Sequence, residues 1–173
     1  MIDINNNTAV VFPGQGSQVI GMGADLYEKS SIAKDIFDEV DETLGRKLTD
    51  IVFSGSQEVL NKTENAQPAI TATSLACFSV FKDKFKDFTP SVTAGHSLGE
   101  YTSLSASNAL SVSDTIRLVS ERGRLMQIAC DKNPGGMVAI IGMEIDVVEE
   151  VCREAGAYPS NINSSQQVII SGD

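Results

Sequence analysis

The pentapeptide Gly95-His96-Ser97-Leu98-Gly99 fits the pattern G-x-S-x-G, which dictates a local fold more firmly than anything else in the chain. A strand has to turn abruptly into a helix there, so the serine sits on a strained backbone with its hydroxyl exposed, and glycines at both flanks leave room for the turn. The surroundings agree. Residues 91–94 follow Pro90 as the end of a short strand, and Leu98, Tyr101 and Leu104 recur at helical spacing. Ser97 is therefore the candidate nucleophile. The plainer alternative is a glycine-rich turn that happens to contain a serine.

A chain of 173 residues, 42% hydrophobic and 21% charged, is long enough for one domain with a sizeable core and a small appended subdomain. No apolar run approaches the length of a bilayer span, and the first basic residue is Lys29, so the start lacks the charge of a signal or transit peptide. The expected location is the cytoplasm, with no membrane partner. A net charge of −10 argues against a nucleic-acid surface, which needs clustered Lys and Arg. Lys82, Lys84 and Lys86 do cluster, at what reads as a helix end. Cys77, Cys130 and Cys152 are odd in number, far apart and without a C-x-x-C pair, so buried, reduced thiols are expected rather than disulfides or a metal site.

Along the chain, residues 8–12 form an apolar run ended by Pro13-Gly14, which predicts a buried strand feeding a loop. That loop is no dinucleotide fingerprint, because Val19 stands where the third glycine would fall, and no Gly-Lys-Ser/Thr follows to make a P-loop. Residues 31–44 carry apolar side chains at helical spacing, with Gly45 as the stop. A longer helix is expected over about 67–81 with Pro68 in its first turn. Ser113-Asp114 caps another, running to about Ala129. After the Asn133-Pro134-Gly135-Gly136 stretch the pattern changes to strand 137–141, helix 145–155, strand 160–163 and strand 167–171. This β-α-β-β order is the first part of a ferredoxin-like unit.

An acyl-transfer serine needs a base, donors for the oxyanion, and something that recognises the acyl group. The N–H of Leu98 follows the nucleophile at the start of a helix, and the glycine-flanked Gly14-Gln15-Gly16 loop is a candidate second donor. Arg122 falls in an apolar stripe with Leu118, Leu125 and Ala129, so it must be paired, by an internal Asp or Glu or by a carboxylate on the substrate; periodicity alone favours the internal ion pair. His96 is the only histidine. Neighbouring side chains on an elbow point apart, so it reads as a brace rather than as the base of Ser97.

Four motifs, Phe12-Pro13-Gly14-Gln15-Gly16-Ser17-Gln18, Thr63-Glu64-Asn65-Ala66-Gln67-Pro68-Ala69, the elbow through Tyr101, and Arg122-Gly123-Arg124-Leu125-Met126-Gln127, resemble in order and spacing those of the malonyl-CoA:acyl carrier protein transacylases of fatty-acid synthesis and, more broadly, the acyltransferase domains of polyketide synthases. The resemblance implies an α/β fold, with an α/β hydrolase-like large subdomain over 1–133 and an incomplete ferredoxin-like small subdomain over 134–173. It implies that Ser97 takes a malonyl group from malonyl-CoA and passes it to the phosphopantetheine thiol of acyl carrier protein, without a cofactor. Arg122 then matches the family arginine that pairs with the malonyl carboxylate, Gln15 the glutamine whose N–H joins that of Leu98 in the oxyanion hole, and Gln67 and Asn161 polar positions of the pocket. Gly95, His96 and Gly99 are structural at the elbow. Where the family often has Ser-Pro-Gly-Gln, this chain has Ser164-Ser165-Gln166-Gln167.

Family members continue well past residue 173 and take their catalytic histidine from that continuation. The chain thus resembles the amino-terminal part of such an enzyme, and low activity is expected of it alone; a separate carboxy-terminal fragment is a candidate partner. Two other readings stay open, a serine esterase or thioesterase, which would not need Arg122, and a non-catalytic remnant that binds malonyl-CoA without forming an adduct.

Overall fold

The computed structural model describes residues 8–172, so the outer ends of the expected division, 1–133 and 134–173, lie outside the described residues. The protein mixes helices and short strands in two compact units that divide after Gln127.

The first unit opens with β1 (Ala9–Phe12), followed by α1 (Ala24–Lys29), α2 (Ser31–Leu44), α3 (Leu48–Ser54), α4 (Gln57–Asn61) and α5 (Thr63–Lys84). Then come β2 (Val92–Gly95), α6 (Gly99–Ala106) and α7 (Val112–Lys132), whose last residues belong to the second unit. Helix α2 has the expected bounds: the Ser30 hydroxyl accepts from Ala33 N, and Gly45 closes it at φ 61°, a left-handed conformation that suits glycine. Its Phe37 and Val40 pack with Leu48 and Val52 of α3 and Ala69, Ile70 and Ala72 of α5 into the core. The buried Asp41 carboxylate ties α2 to α3, accepting from both Thr49 N at 3.1 Å and its hydroxyl at 2.6 Å.

Helix α5 begins at Thr63, earlier than expected, so Pro68 lies inside it rather than in its first turn. Proline lacks the N–H that the Glu64 carbonyl would otherwise receive. Arg46 replaces it, donating from Nη2 to that carbonyl at 3.3 Å. The cap of α7 is Ser111 rather than Ser113: its hydroxyl accepts from Asp114 N at 3.0 Å and donates to the Asp114 carboxylate at 2.8 Å.

β1 and β2 pair in parallel, Phe12 opposite Gly95, in a sheet of two strands. The expectation of a buried first strand holds only for Phe12; Val11 is 73% exposed. The thiols also depart from expectation, since Cys77 and Cys130 are exposed and only Cys152 is buried.

The second unit contains β3 (Gly136–Ile141), α8 (Ile145–Ala155), β4 (Tyr158–Ser164) and β5 (Gln167–Gly172), an antiparallel sheet in the order β3-β5-β4. Val148 and Cys152 of α8 pack on Val168, with Ile140 and Ile170 around them. Ser165 and Gln166 make the short turn between β4 and β5.

Candidate active site

Because β1 and β2 run in parallel, the segments that leave them emerge side by side at their carboxyl ends, where ligand sites of parallel sheets gather. His96 N donates to the Phe12 carbonyl at 3.1 Å, so the turn after β2 is hydrogen-bonded to the end of β1. Ser97 then takes φ 51°, one of two described non-glycine residues with positive φ. Such a backbone costs about 1 kcal/mol or more for a residue with a Cβ, and it lifts the exposed hydroxyl off the turn. Both flanking glycines are required by contact: a Cβ on Gly95 would overlap the Gly99 carbonyl, and one on Gly99 would run into the Phe12 carbonyl. Leu98 is fully buried and anchors the start of α6 in the core.

His96 packs against the other loop. A Cβ on Gly14 would come within 2.7 Å of its Nδ1 and 2.8 Å of its carbonyl oxygen, which is why that position has no side chain. The loop is pinned at two further points. The Gln18 amide donates to Asn61 Oδ1 at 2.9 Å and accepts from Gly16 N at 2.8 Å. Gln15 reaches the first turns of α5, where its Nε2 donates to Thr63 Oγ1 at 3.2 Å and its Oε1 accepts from Gln67 Nε2 at 3.3 Å.

Arg122 comes from α7. The close approach of α7 to α5 rests on Gly123, where a Cβ would lie 2.7 Å from the Thr63 carbonyl. Arg122 Nη2 donates to Ser97 Oγ at 2.9 Å and Nη1 to Gln67 Oε1 at 2.8 Å. Its guanidinium carbon stands 5.9 Å from the centre of the Tyr101 ring, near the outer limit of a cation–π contact. No ion pair among the described residues includes Arg122. That overturns the internal ion pair which periodicity favoured. The premise fails too, because Leu118 and Leu125 are exposed, and the buried face of α7 runs through Thr115, Ile116, Val119 and Gly123. Arg122 is only half-buried and is satisfied by neutral acceptors.

The site therefore brings together Ser97, Gln15, Gln67 and Arg122. Asn161 lies on β4 in the second unit, where its amide donates to Asn163 Oδ1 at 2.6 Å. Three members were missed in the sequence. Thr63 holds Gln15, Met126 accepts from Gln67 Nε2 through its sulfur at 3.1 Å, and Tyr101 lies beside Arg122. The i, i+4 spacings of Thr63 to Gln67 and Arg122 to Met126 were available as a signal, since residues so spaced share a helix face. Gln67 is fully buried, and each of its amide atoms is hydrogen-bonded. Chemically, the arrangement presents an exposed hydroxyl next to a cation that no carboxylate among the described residues neutralises. Among the described residues there is no group of side chains suited to a metal ion and no helix long and apolar enough to cross a membrane.

The profile of the acyl transferase domain matches residues 9–173. Malonyl CoA-acyl carrier protein transacylase of Bacillus subtilis (strain 168) is 46% identical over 169 residues, covering 95% of this chain and 53% of the relative. The protein of the same name from Haemophilus influenzae is 45% identical, covering 95% and 54%. A solved complex of a type II polyketide acyl-carrier protein with its malonyl-transacylase aligns at a TM-score of 0.89 and 41% identity, over 96% of this chain and 55% of that one. The chain spans about half the length of the curated relatives it matches. With the profile covering nearly every residue and the elbow, glutamine loop and arginine in one place, the chain belongs to the acyl transferase domain family.

Proposed function

We propose that this chain carries the acylation and recognition half of a malonyltransferase acting between coenzyme A and acyl carrier protein in fatty-acid synthesis, in the cytoplasm and without a cofactor or metal. Ser97 Oγ attacks the thioester carbonyl of malonyl-CoA as its proton passes to a base. The carbonyl electrons move to oxygen, and the tetrahedral oxyanion collapses with the coenzyme A thiolate as leaving group, which takes up that proton. The phosphopantetheine thiol of acyl carrier protein then attacks the malonyl ester, loses its proton to the same base, and releases Ser97 by the reverse sequence. The N–H groups of Gln15 and Leu98 are the oxyanion donors, at the ends of adjacent strands.

The observation that carries this reading is the Arg122 guanidinium, 2.9 Å from Ser97 Oγ and paired with no described carboxylate. A planar donor fork next to the nucleophile suits an acyl group that ends in a carboxylate, and an esterase would have no use for it. Gln67 completes the wall of the pocket; the first unit reads as an α/β hydrolase-like core, and the second, which carries Asn161, as an incomplete ferredoxin-like subdomain.

The base comes from polypeptide beyond these residues, in the same chain or in a separate carboxy-terminal fragment. The support is that His96, the sole histidine, packs its ring against Gly14, and that the relatives are about twice as long. Lys82, Lys84 and Lys86 are the local basic patch for an acidic carrier protein. Lys82 already donates to the Phe88 carbonyl and Lys86 lies 3.9 Å from Asp83, which leaves Lys84 the least committed. Intact-mass analysis after incubation with malonyl-CoA tests the reading. One malonyl group should accumulate slowly on the 173-residue protein and not at all on Ser97→Ala, with little onward transfer to acyl carrier protein. Robust turnover by this chain alone, lost in Ser97→Ala, would refute the external base.

A further inference from the structure

Arg122 can only donate hydrogen bonds, and this fixes the polarity of every amide behind it. Gln67 must turn Oε1 to the guanidinium, as observed at 2.8 Å, so its Nε2 faces away, toward Gln15 Oε1 at 3.3 Å and Met126 Sδ at 3.1 Å. Gln15 has then spent its acceptor, and its Nε2 donates to Thr63 Oγ1 at 3.2 Å. A flipped Gln67 would set two donors against each other in a fully buried position. Thr63 closes the series and is itself held on two more sides, its N–H donating to Gln127 Oε1 at 3.3 Å and its carbonyl lying against Gly123 of α7.

We propose that Thr63 and the side chain of Gln15 are positioning residues for acyl-group selection. With the polarity set by Arg122, they hold the Gln67 amide in that position, so that the guanidinium is kept in place by a neutral acceptor and its charge stays available to a carboxylate on the acyl group. The inference rests on Arg122 reading that carboxylate. It goes further in assigning roles to a threonine hydroxyl and to a side chain whose backbone alone was implicated. The neutrality of Gln67 matters as much as its orientation. A carboxylate at position 67 would satisfy Arg122 equally well and cancel the charge that the substrate is meant to meet.

The test is the ratio of the Kd for acetyl-CoA to that for malonyl-CoA, measured by titration calorimetry on the 173-residue protein, which requires no catalytic base. Thr63→Val, which removes the acceptor with little change in volume, should lower this ratio about 2- to 10-fold, the worth of one hydrogen bond. The loss should fall on malonyl-CoA alone, and Thr63→Ser should restore the ratio. Gln67→Glu should abolish the preference while its thermal unfolding stays cooperative, which tests the neutrality of position 67, and Gln15→Met, expected to lower the ratio as Thr63→Val does, keeps the relay testable if Thr63→Val folds poorly. A wild-type ratio in Thr63→Val or, where that variant does not fold, in Gln15→Met, or equal losses for the two ligands, would overturn the relay. If those variants keep the preference and Arg122→Ala loses it, the relay falls while the carboxylate reading stands. If the wild type shows no preference, or Arg122→Ala retains it, the carboxylate reading falls and the relay with it.

Discussion

The two sides of the first unit are built from similar apolar residues and end differently. Toward α2 and α3, Phe37, Val40, Leu48 and Val52 are buried almost completely against α5, and Tyr27 and Phe53 close an aromatic cluster around Phe37. Along the sheet, Val11 and Val92 are 73% and 56% exposed, and β1 borders an open apolar groove of about 540 Å³ lined also by Cys77, Phe78, Phe81 and Phe88. The composition of a strand records the cover it is built for, and the described residues supply that cover on one side only. The contrast also separates functions. Gln67 and Arg122, the proposed recognition residues, sit on helices of the packed part, whereas Ser97 and Gln15 follow the two strands of the sheet.

Truncations on the two sides should therefore differ most. Phe37→Ala should destabilise the protein by about 3–5 kcal/mol in denaturant unfolding, and Val11→Ala should stay within about 0.5 kcal/mol. Comparable losses would mean that the groove side is covered in solution. Gly123→Ala should come next, at about 1–3 kcal/mol, because its Cβ meets the Thr63 backbone and not a mobile side-chain tip. The helix propensity gained by alanine, about 1 kcal/mol, offsets only part of this.

Thiol labelling sharpens the same contrast. Cys77 borders the open groove and is exposed, yet partial burial, with Asp25 adding to it, holds its thiol above the ordinary value. Exposure and proton affinity report different things here: the sulfur is reachable, while its thiolate is disfavoured. Iodoacetamide should alkylate native Cys77 slowly, with a rate that still rises with pH beyond the range of a free thiol, and should reach Cys152 only on unfolding. Complete protection of Cys77 would contradict an open groove.

The smallest effect belongs to the surface of α2. The Lys34 hydrogen bond, and after it that of the Tyr27 hydroxyl, holds the Asp38 carboxyl below its ordinary value. Its contribution is present above the unfolded-state value and is lost as pH falls through the folded one. Solvent screens the pair, so Asp38→Asn should leave stability at neutral pH nearly unchanged and remove only a shallow acid-side loss.

Much of this was legible in the sequence because it is local. The elbow announces itself through two glycines that the turn cannot do without, and α2 through its period and Gly45. The β-α-β-β order of the second unit also followed from local pattern. What stayed hidden depended on partners distant in sequence. Pro68 is tolerated inside α5 because Arg46 reaches the carbonyl it orphans. The apolar spacing around Arg122 suggested burial and an acidic partner, but which face of α7 is covered is set by the packing of Gly123 on Thr63. The spacing of Thr63 to Gln67 puts the two on one helix face, but the partner that gives the Thr63 hydroxyl its place, Gln15, lies 48 positions away.

The central claim is that the serine and arginine form one site that selects a carboxylated acyl group. Its most direct test is competition: equimolar malonyl-CoA and acetyl-CoA are offered to the protein, and the adduct on Ser97 is identified by intact mass and peptide mapping. The account predicts malonyl in excess by roughly 10- to 100-fold, the worth of a charged hydrogen-bonding partner, and no selection in Arg122→Ala. Equal labelling of the wild type, or undiminished malonyl preference in Arg122→Ala, would contradict it.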